Sequence, residues 1–347
     1  MSHITVDDLA DAALLYCEKP EWQDVTPVPQ YDGILFNLSV DVLIVVLADK
    51  DATDYFRAVV KSDEISERVL QLTEDIIRLN PAHYSAWQFR YRTLIALKSN
   101  LDAELALMDV LAIQFLKTYQ VWHHRRLILT ALHGASPSES LDAAAKELHF
   151  ITRALDTDTK NYHTWSYRQW LLAFFDDEAL WEGELPYVEK LLDVDVRNNS
   201  AWHHRYYVVW GRVRANGEVD QEEVLKGEIA YTKDQIAGAP NNPSAWNYLR
   251  GVLEHTKQPF SSVQTFVELY AAPARKTAED VVVDLDNPGP GPDAHLPCVA
   301  ALEFLADIYE AAGGEQKKAV EIWKSLANEH DNMRKKFWEF RIKDAST

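Results

Sequence analysis

Basic side chains recur at one place in the sequence, immediately before a predicted helix start, and their chemistry suits an anionic ligand. Lys117, Lys160 and Arg197 each stand one residue ahead of a Thr or Asn that can cap a first helical turn. Free backbone N–H groups and the positive end of the helix dipole favour an anion there, and a lysine or arginine adds a full charge. If the helices stack in register, the three cations line one rim and bind a phosphorylated ligand. The alternative is that they are solvated cations on an acidic surface, and the sequence alone does not separate the two.

Hydrogen-bonding side chains accompany two of these cations. They occupy the first two positions of the predicted helices and are Tyr119, Gln120, Tyr162 and His163. We expect them to line the same rim as the cations.

Two histidine doublets, His123-His124 and His203-His204, look like metal ligands at first sight. Adjacent helical residues point about 100° apart, so both members of a doublet cannot hold one ion, unlike histidines spaced by four. We therefore predict that the doublets pack or hydrogen bond within the repeats, and that this chain itself binds no metal. The sequence also shows no phosphate-binding glycine loop, no H-E-x-x-H motif and no G-x-S-x-G motif.

The helices that carry these residues are marked by a repeated tetrapeptide, Trp-x-x-Arg. Five copies have tryptophans 35 to 44 residues apart, and a remote echo lies at 338–341. Such spacing is typical of stacked helical hairpins, each too small to bury its apolar face alone. We expect the tryptophan to pack between hairpins and the arginine to pair with a carboxylate or a helix end in the next repeat. The repeat residues are Trp87, Arg90, Trp122, Arg125, Trp165, Arg168, Trp202, Arg205, Trp246 and, with one extra residue between, Arg250.

The residue four positions before each tryptophan is the predicted N-cap of the second helix of a hairpin. Four of the five copies offer a side-chain oxygen that can accept a hydrogen bond from the first turn. The five residues are His83, Thr118, Asn161, Asn198 and Asn242.

Helical periodicity runs through most of the chain, and no segment alternates as a strand between turns does. We predict an all-α protein whose residues 1–347 form a single solenoid. Residues 1–50 are an irregular lead-in, residues 54–256 carry the hairpins, and residues 298–344 form closing helices. Residues 271–297 are rich in proline and glycine, which excludes a regular helix and predicts an insertion.

The charge of the chain limits its partners. Its 54 acidic and 35 basic side chains give a formal charge of −19, which repels nucleic acid and anionic lipid. The most apolar run, residues 34–48, is too short to span a bilayer, and the first residues lack the basic start of a signal peptide. With only Cys17 and Cys298, a disulfide framework is excluded. We expect a cytoplasmic protein that neither binds nucleic acid nor inserts into a membrane.

Several segments resemble one family, the alpha subunit that protein farnesyltransferase shares with protein geranylgeranyltransferase type I. They are LKTYQVWHHRR (116–126), DTKNYHTWSYRQW (158–170), DVRNNSAWHHRY (195–206) and NPSAWNYLRG (242–251), together with the lead-in EWQDVTPVPQYDG (21–33) and DYFRAVVKSDEISER (54–68). The resemblance implies a right-handed superhelix, or crescent, of stacked antiparallel hairpins wrapped around a beta subunit. The implied reaction transfers farnesyl or geranylgeranyl from its diphosphate to the cysteine of a C-terminal CaaX sequence. Zinc is implied in the beta subunit, and magnesium with the diphosphate.

The resemblance also implies roles for individual residues. Lys117 matches the lysine that contacts the diphosphate in catalysis, with Tyr119 beside it, and Gln120 matches the glutamine that meets the terminal carboxylate of the peptide. Tyr162 and His163 match the tyrosine and histidine near the isoprenoid diphosphate. Lys160 and Arg197 are left as electrostatic support.

The sequence departs from this family at two places. Thr118 stands where an asparagine is common, which keeps the cap, and the insertion at 271–297 lies outside the family's pattern. Two other functions stay open: a non-enzymatic helical-repeat adaptor for acidic or phosphorylated partners, and the alpha subunit of the Rab-specific geranylgeranyl enzyme. The second lacks support from the residues around Lys117 and Gln120.

Overall fold

The computed structural model describes residues 15–30, 40–135, 137–216, 221–273 and 284–345, and these contain helices and turns without a β-strand. The all-α prediction is therefore confirmed. Within these ranges no helix is long and apolar enough to cross a bilayer.

The α-helices are α1 (Val40–Ser62), α2 (Glu67–Leu79), α3 (Tyr84–Leu97), α4 (Leu101–Gln114), α5 (Tyr119–Ala135), α6 (Pro137–Thr157), α7 (Tyr162–Phe175), α8 (Glu178–Glu182), α9 (Glu184–Val194), α10 (Asn199–Asn216), α11 (Gln221–Gly238), α12 (Pro243–His255), α13 (Gln264–Ala271), α14 (Val299–Ala311), α15 (Gln316–Ser325) and α16 (Lys335–Asp344).

Successive helices pair as hairpins within two compact units, Met1–Asp177 and Glu178–Thr347. In the first unit α2 packs on α3, α4 on α5, and α6 on α7. In the second unit α9 packs on α10 and α11 on α12, and the closing helices α14, α15 and α16 pack in sequence. The single solenoid expected for residues 1–347 stays a prediction.

Each second helix of a hairpin begins where the sequence places its cap. The side chains of His83, Asn161, Asn198 and Asn242 accept hydrogen bonds from backbone N–H groups of the following turn. Thr118 stands immediately before α5. Helix starts are local in origin, because the cap satisfies N–H groups that have no partner inside the helix.

The first long helix begins earlier than the sequence predicts. Because α1 covers Val40–Ser62, residues 40–50 are helical, and the boundary of the irregular lead-in at residue 50 was wrong. β-branched residues dominate the run VDVLIVV and weaken its intrinsic helix preference. Further along, α1 packs on α2, and Tyr55, Phe56 and Val59 are buried. Residues 1–14 and 31–39 lie outside the described ranges.

The insertion is irregular over its described part, residues 284–297, and is tied to the neighbouring helices. Lys233 Nζ donates hydrogen bonds to the carbonyl of Asp286 at 2.9 Å and to Asn287 Oδ1 at 3.0 Å. The hydroxyl of Tyr270 donates to the carbonyl of Pro288 at 2.8 Å. Residues 274–283 lie outside the described ranges.

Candidate functional site

The repeated tryptophan fixes the backbone that carries each cation. In all five repeats the indole Nε1 donates a hydrogen bond of 2.8 to 3.0 Å to the backbone carbonyl six residues earlier. In the three central repeats, that acceptor is the residue immediately before the cation, namely Leu116, Thr159 or Val196. The tryptophan thus holds the turn from which Lys117, Lys160 or Arg197 projects.

In three repeats the arginine forms the ion pair that the sequence predicts, with a glutamate of the next hairpin. Nε and Nη2 of Arg90 lie 2.8 and 2.7 Å from the two carboxylate oxygens of Glu104, and both side chains are buried. The same bidentate geometry joins Arg125 to Glu147 and Arg205 to Glu228. Arg250 pairs with Asp307 at 2.6 Å, and Arg168 donates to Thr152 Oγ1 at 3.2 Å.

Each of these buried glutamates accepts a further hydrogen bond from the ring two residues after the next tryptophan. The partner atom is His124 Nε2, 2.8 Å from Glu104, or the hydroxyl of Tyr167, 2.7 Å from Glu147, or that of Tyr248, 2.5 Å from Glu228. We call each set of arginine, glutamate and ring a clamp, named after its ring. A clamp joins the second helix of one hairpin to both helices of the next.

Hydrogen bonds to buried glutamates account for one member of each histidine doublet. His124 and His204 are buried, and their Nε2 atoms lie 2.8 and 2.7 Å from Glu104 and Glu184 respectively. The predicted role of the doublets in hydrogen bonding within the repeats is therefore confirmed for these two members. In the described part of the chain, no group of three or more His, Cys, Asp or Glu is placed to hold a metal ion.

The three predicted cations are exposed, and their backbones are held by the preceding turn. Asp158 Oδ1 accepts from the backbone N–H of Lys160 at 3.3 Å, and Asp195 Oδ1 accepts from that of Arg197 at 3.0 Å. Lys117 and Lys160 belong to the first unit and Arg197 to the second. The common rim predicted for all three stays a prediction.

Two of the predicted site residues, Tyr119 and His163, lie close together in the structure. Tyr119 and His163 both line a cavity of about 200 Å³ between the N-terminal halves of α5 and α7. Tyr162 is 77% exposed, with its ring centroid 5.6 Å from that of His163. The amide nitrogen of Gln120 donates to the carbonyl of Ala82 at 3.1 Å, which orients this side chain from the turn before α3.

His123 and Arg126 also line this cavity, although the sequence did not lead us to predict them as site residues. Positions 119, 123 and 126 form one stripe on α5 because they are four and three residues apart. That periodicity could have nominated them. Which stripe of α7 faces them was not readable, because it depends on how two hairpins pack.

The described residues thus form helical hairpins with capped second helices, a tryptophan that holds the turn before each of them and, in three repeats, an arginine clamped to the next hairpin. The model of the family "Protein prenyltransferase alpha subunit repeat" matches residues 66–97, 101–132, 144–175, 181–210 and 225–256.

Similar proteins narrow the class. The "Protein farnesyltransferase/geranylgeranyltransferase type-1 subunit alpha" of Candida albicans is 30% identical over 93% of this chain and 97% of its own length. That of Schizosaccharomyces pombe is 36% identical, with 92% of each chain covered. The solved structure "Candida albicans protein geranylgeranyltransferase-I complexed with GGPP" aligns with a TM-score of 0.74 at 29% identity, over 94% of this chain and 99% of that one. This chain belongs to the family of protein farnesyltransferase/geranylgeranyltransferase type-1 alpha subunits.

Proposed function

We propose that this chain acts in the cytoplasm as the alpha subunit of a heterodimeric protein prenyltransferase. Paired with a beta subunit, it serves the transfer of farnesyl, or with another beta subunit geranylgeranyl, from the isoprenoid diphosphate to the cysteine of a C-terminal CaaX sequence. The cysteine sulfur attacks the first isoprenoid carbon, and the carbon–oxygen bond breaks as diphosphate leaves with its electron pair. Support comes from the similar alpha subunits and from the cap regions that precede α5 and α7.

The observation that carries the proposal is the anchoring of Lys117. Lys117 is exposed and lies two residues before the start of α5, and the indole Nε1 of Trp122 donates to the preceding carbonyl, that of Leu116, at 3.0 Å. A charge held in place before the reaction stabilises a leaving group whose negative charge grows in the transition state. Lys117 is therefore assigned as the catalytic cation toward the leaving diphosphate, with Lys160 and Arg197 as electrostatic support.

The neighbouring side chains are assigned to substrate binding. Tyr119, Tyr162 and His163 surround the starts of α5 and α7 and can donate hydrogen bonds to phosphoryl oxygens. An amide NH2 group has two N–H donors, so Gln120 keeps one for the terminal carboxylate of the peptide while the other bonds to Ala82.

Zinc and magnesium belong to the proposal outside this chain. Since the described residues offer no His, Cys, Asp and Glu cluster for a metal, the zinc is assigned to the beta subunit. When bound there, it lowers the pKa of the substrate thiol. Magnesium is assigned to the diphosphate.

Kinetics of the heterodimer test the role of Lys117. We expect Lys117→Ala to lower kcat by about 10²–10³-fold, the effect typical of losing one pre-positioned charge or donor, while assembly is unchanged. Lys146→Ala is the matched control, because Lys146 is an exposed lysine of the same unit that pairs with Asp142 across one helical turn. Equal turnover of both variants would remove Lys117 from the reaction.

The helical-repeat adaptor makes a different prediction. An adaptor would neither copurify with a coexpressed beta subunit nor support transfer in its presence. Coexpression followed by an assay with farnesyl diphosphate and geranylgeranyl diphosphate therefore separates the two functions and also reports the preferred isoprenoid.

A further inference from the structure

The cavity between α5 and α7 continues below the residues assigned to substrate. Tyr119, His123 and Arg126 descend along one face of α5, and His163 and Ser166 along the facing side of α7. The seven lining residues are Tyr119, Trp122, His123, Arg126, His163, Ser166 and Tyr167, and no carboxylate is among them. The whole chain has a formal charge of −19. A cavity lined by hydrogen-bond donors and by no acidic side chain is therefore unusual for this protein.

Arg126 differs from its neighbour Arg125 in having no counter-ion. Arg125 is fully paired, with Glu147 at 2.6 Å and Asp109 at 2.8 Å. No hydrogen bond or ion pair joins the Arg126 guanidinium to another described residue, and its Nε is buried without a partner. The Arg126 guanidinium lies over the ring of Trp170, with 4.8 Å from the guanidinium carbon to the ring centroid.

The pKa values of the two arginines shift in opposite directions. Desolvation lowers the pKa of Arg126, and the opposing effect of Tyr167 is too small to offset it. Desolvation would also lower the pKa of Arg125, but Glu147 outweighs it and raises that pKa. A half-buried guanidinium without a carboxylate is costly, so its position suggests a partner supplied from outside this chain.

We propose that the cavity receives a carboxylate side chain of the beta subunit, which pairs with Arg126 on assembly. Two other lining donors, from His123 and Ser166, complete the hydrogen bonds of that carboxylate. The inference rests on the proposed function, because it requires a beta subunit.

The persistence of the pairing favours a subunit carboxylate over a substrate anion. A volume of about 200 Å³ leaves room for one acidic side chain. A substrate anion would leave Arg126 unpaired again after every turnover, whereas a carboxylate of the beta subunit stays for the life of the complex. The guanidinium fork also matches a carboxylate in bidentate geometry.

Assembly of the full-length subunits tests the proposal. With Arg126→Met, we expect the dissociation constant of the heterodimer to rise by roughly 30-fold or more, the cost of leaving a buried interfacial charge unpaired. The Tm of the free chain should stay equal or rise, because the variant removes an unpaired half-buried charge. Titration of fluorescently labelled chain with beta subunit gives the first quantity, and circular dichroism gives the second and verifies the fold.

Matched variants separate this effect from a general loss of charge. Arg153→Met removes another arginine of the first unit, one that is 58% exposed and paired with Asp109, and should leave assembly unchanged. Arg126→Lys, which keeps the charge but loses the fork, should recover part of the affinity.

Two results would overturn the proposal. An unchanged dissociation constant for Arg126→Met would show that no partner carboxylate pairs with Arg126. An unchanged dissociation constant together with a raised inhibition constant for inorganic diphosphate would assign the cavity to the substrate anion. Either result leaves the prenyltransferase function standing, whereas a wild-type chain that forms no heterodimer would remove both.

Discussion

The His124 clamp and the two tyrosine clamps join neighbouring hairpins in the same way, but the ring that donates to the glutamate differs. In each, a buried glutamate accepts two hydrogen bonds from an arginine and one from a ring. The tyrosine hydroxyl stays protonated, because burial and the adjacent glutamate raise the pKa of both Tyr167 and Tyr248 far above the ordinary value. The histidine brings into the core a group that titrates near neutral pH.

The histidine clamp is therefore the one that responds to acid. Burial lowers the pKa of His124 even though Glu104 acts in the opposite direction. Burial would raise the pKa of Glu104, but hydrogen bonds from His124 and Arg90 outweigh it and lower that pKa to about 2. The carboxylate can only accept, so the proton of the neutral imidazole lies on Nε2, and the buried Nδ1 has no partner within the described chain. A second proton on His124 would add an unmatched charge to the core.

The largest effect should come from breaking the shared glutamate. Glu104→Gln leaves the buried guanidinium of Arg90 with Glu74, 3.9 Å away, as its remaining carboxylate. We expect the free energy of unfolding in urea to fall by about 3–5 kcal/mol, because a buried charge loses its counter-ion. Asp142→Asn, which breaks the exposed pair with Lys146, is the control and should have no measurable effect. Equal stability of the two variants would contradict the clamp as a stabilising unit.

Removing only the ring's hydrogen bond should cost less. Tyr167→Phe keeps the packing against Trp122, whose ring centroid lies 5.3 Å away, and leaves the Arg125–Glu147 pair intact. We expect a loss of about 1–2 kcal/mol from the missing hydroxyl, measured by urea unfolding. Tyr248→Phe should lose a similar amount, since Trp202 packs on that ring at 5.0 Å. A large difference between the two would show that the tyrosine clamps are not equivalent.

The smallest effect should be the pH dependence that distinguishes the two kinds of clamp. Because the folded-state pKa of His124 is lowered, the unfolded chain binds more protons than the folded chain as pH falls through about 6.5. This contribution to stability is therefore present above that pH and is lost toward the lowered pKa. We expect His124→Tyr to flatten the decline of Tm between pH 7.5 and pH 5.5. Profiles that run parallel would mean that His124 does not titrate over this range.

Part of each clamp could have been read from the sequence, and part could not. The glutamate lies 20 residues before its ring in all three clamps, at Glu104, Glu147 and Glu228, and Glu184 stands at the same distance before His204. Glutamate and ring belong to the same hairpin, whose turn has a constant length, so this spacing was available as a repeat signal. The arginine comes from the preceding hairpin, and it precedes its glutamate by 14, 22 or 23 residues. The connections between hairpins vary in length, which hides that pairing.

The sequence by itself determined the features that arise within one hairpin. These are the helical class, the capped starts of the second helices, the positions of the tryptophans and the cations beside the caps. Each depends on contacts a few residues apart, where residue type and spacing decide the outcome. The family resemblance added candidate roles for Lys117 and its neighbours.

Tertiary structure alone decided which groups meet across hairpins. Arg125 and Arg126 are adjacent and identical in type, yet one is paired twice and the other not at all within the described chain. Consecutive residues on a helix face different surroundings, and the packing of α5 against α6 and α7 selects which one meets Glu147. The packing of α5 on α7 likewise placed Tyr119 and His163 on one cavity.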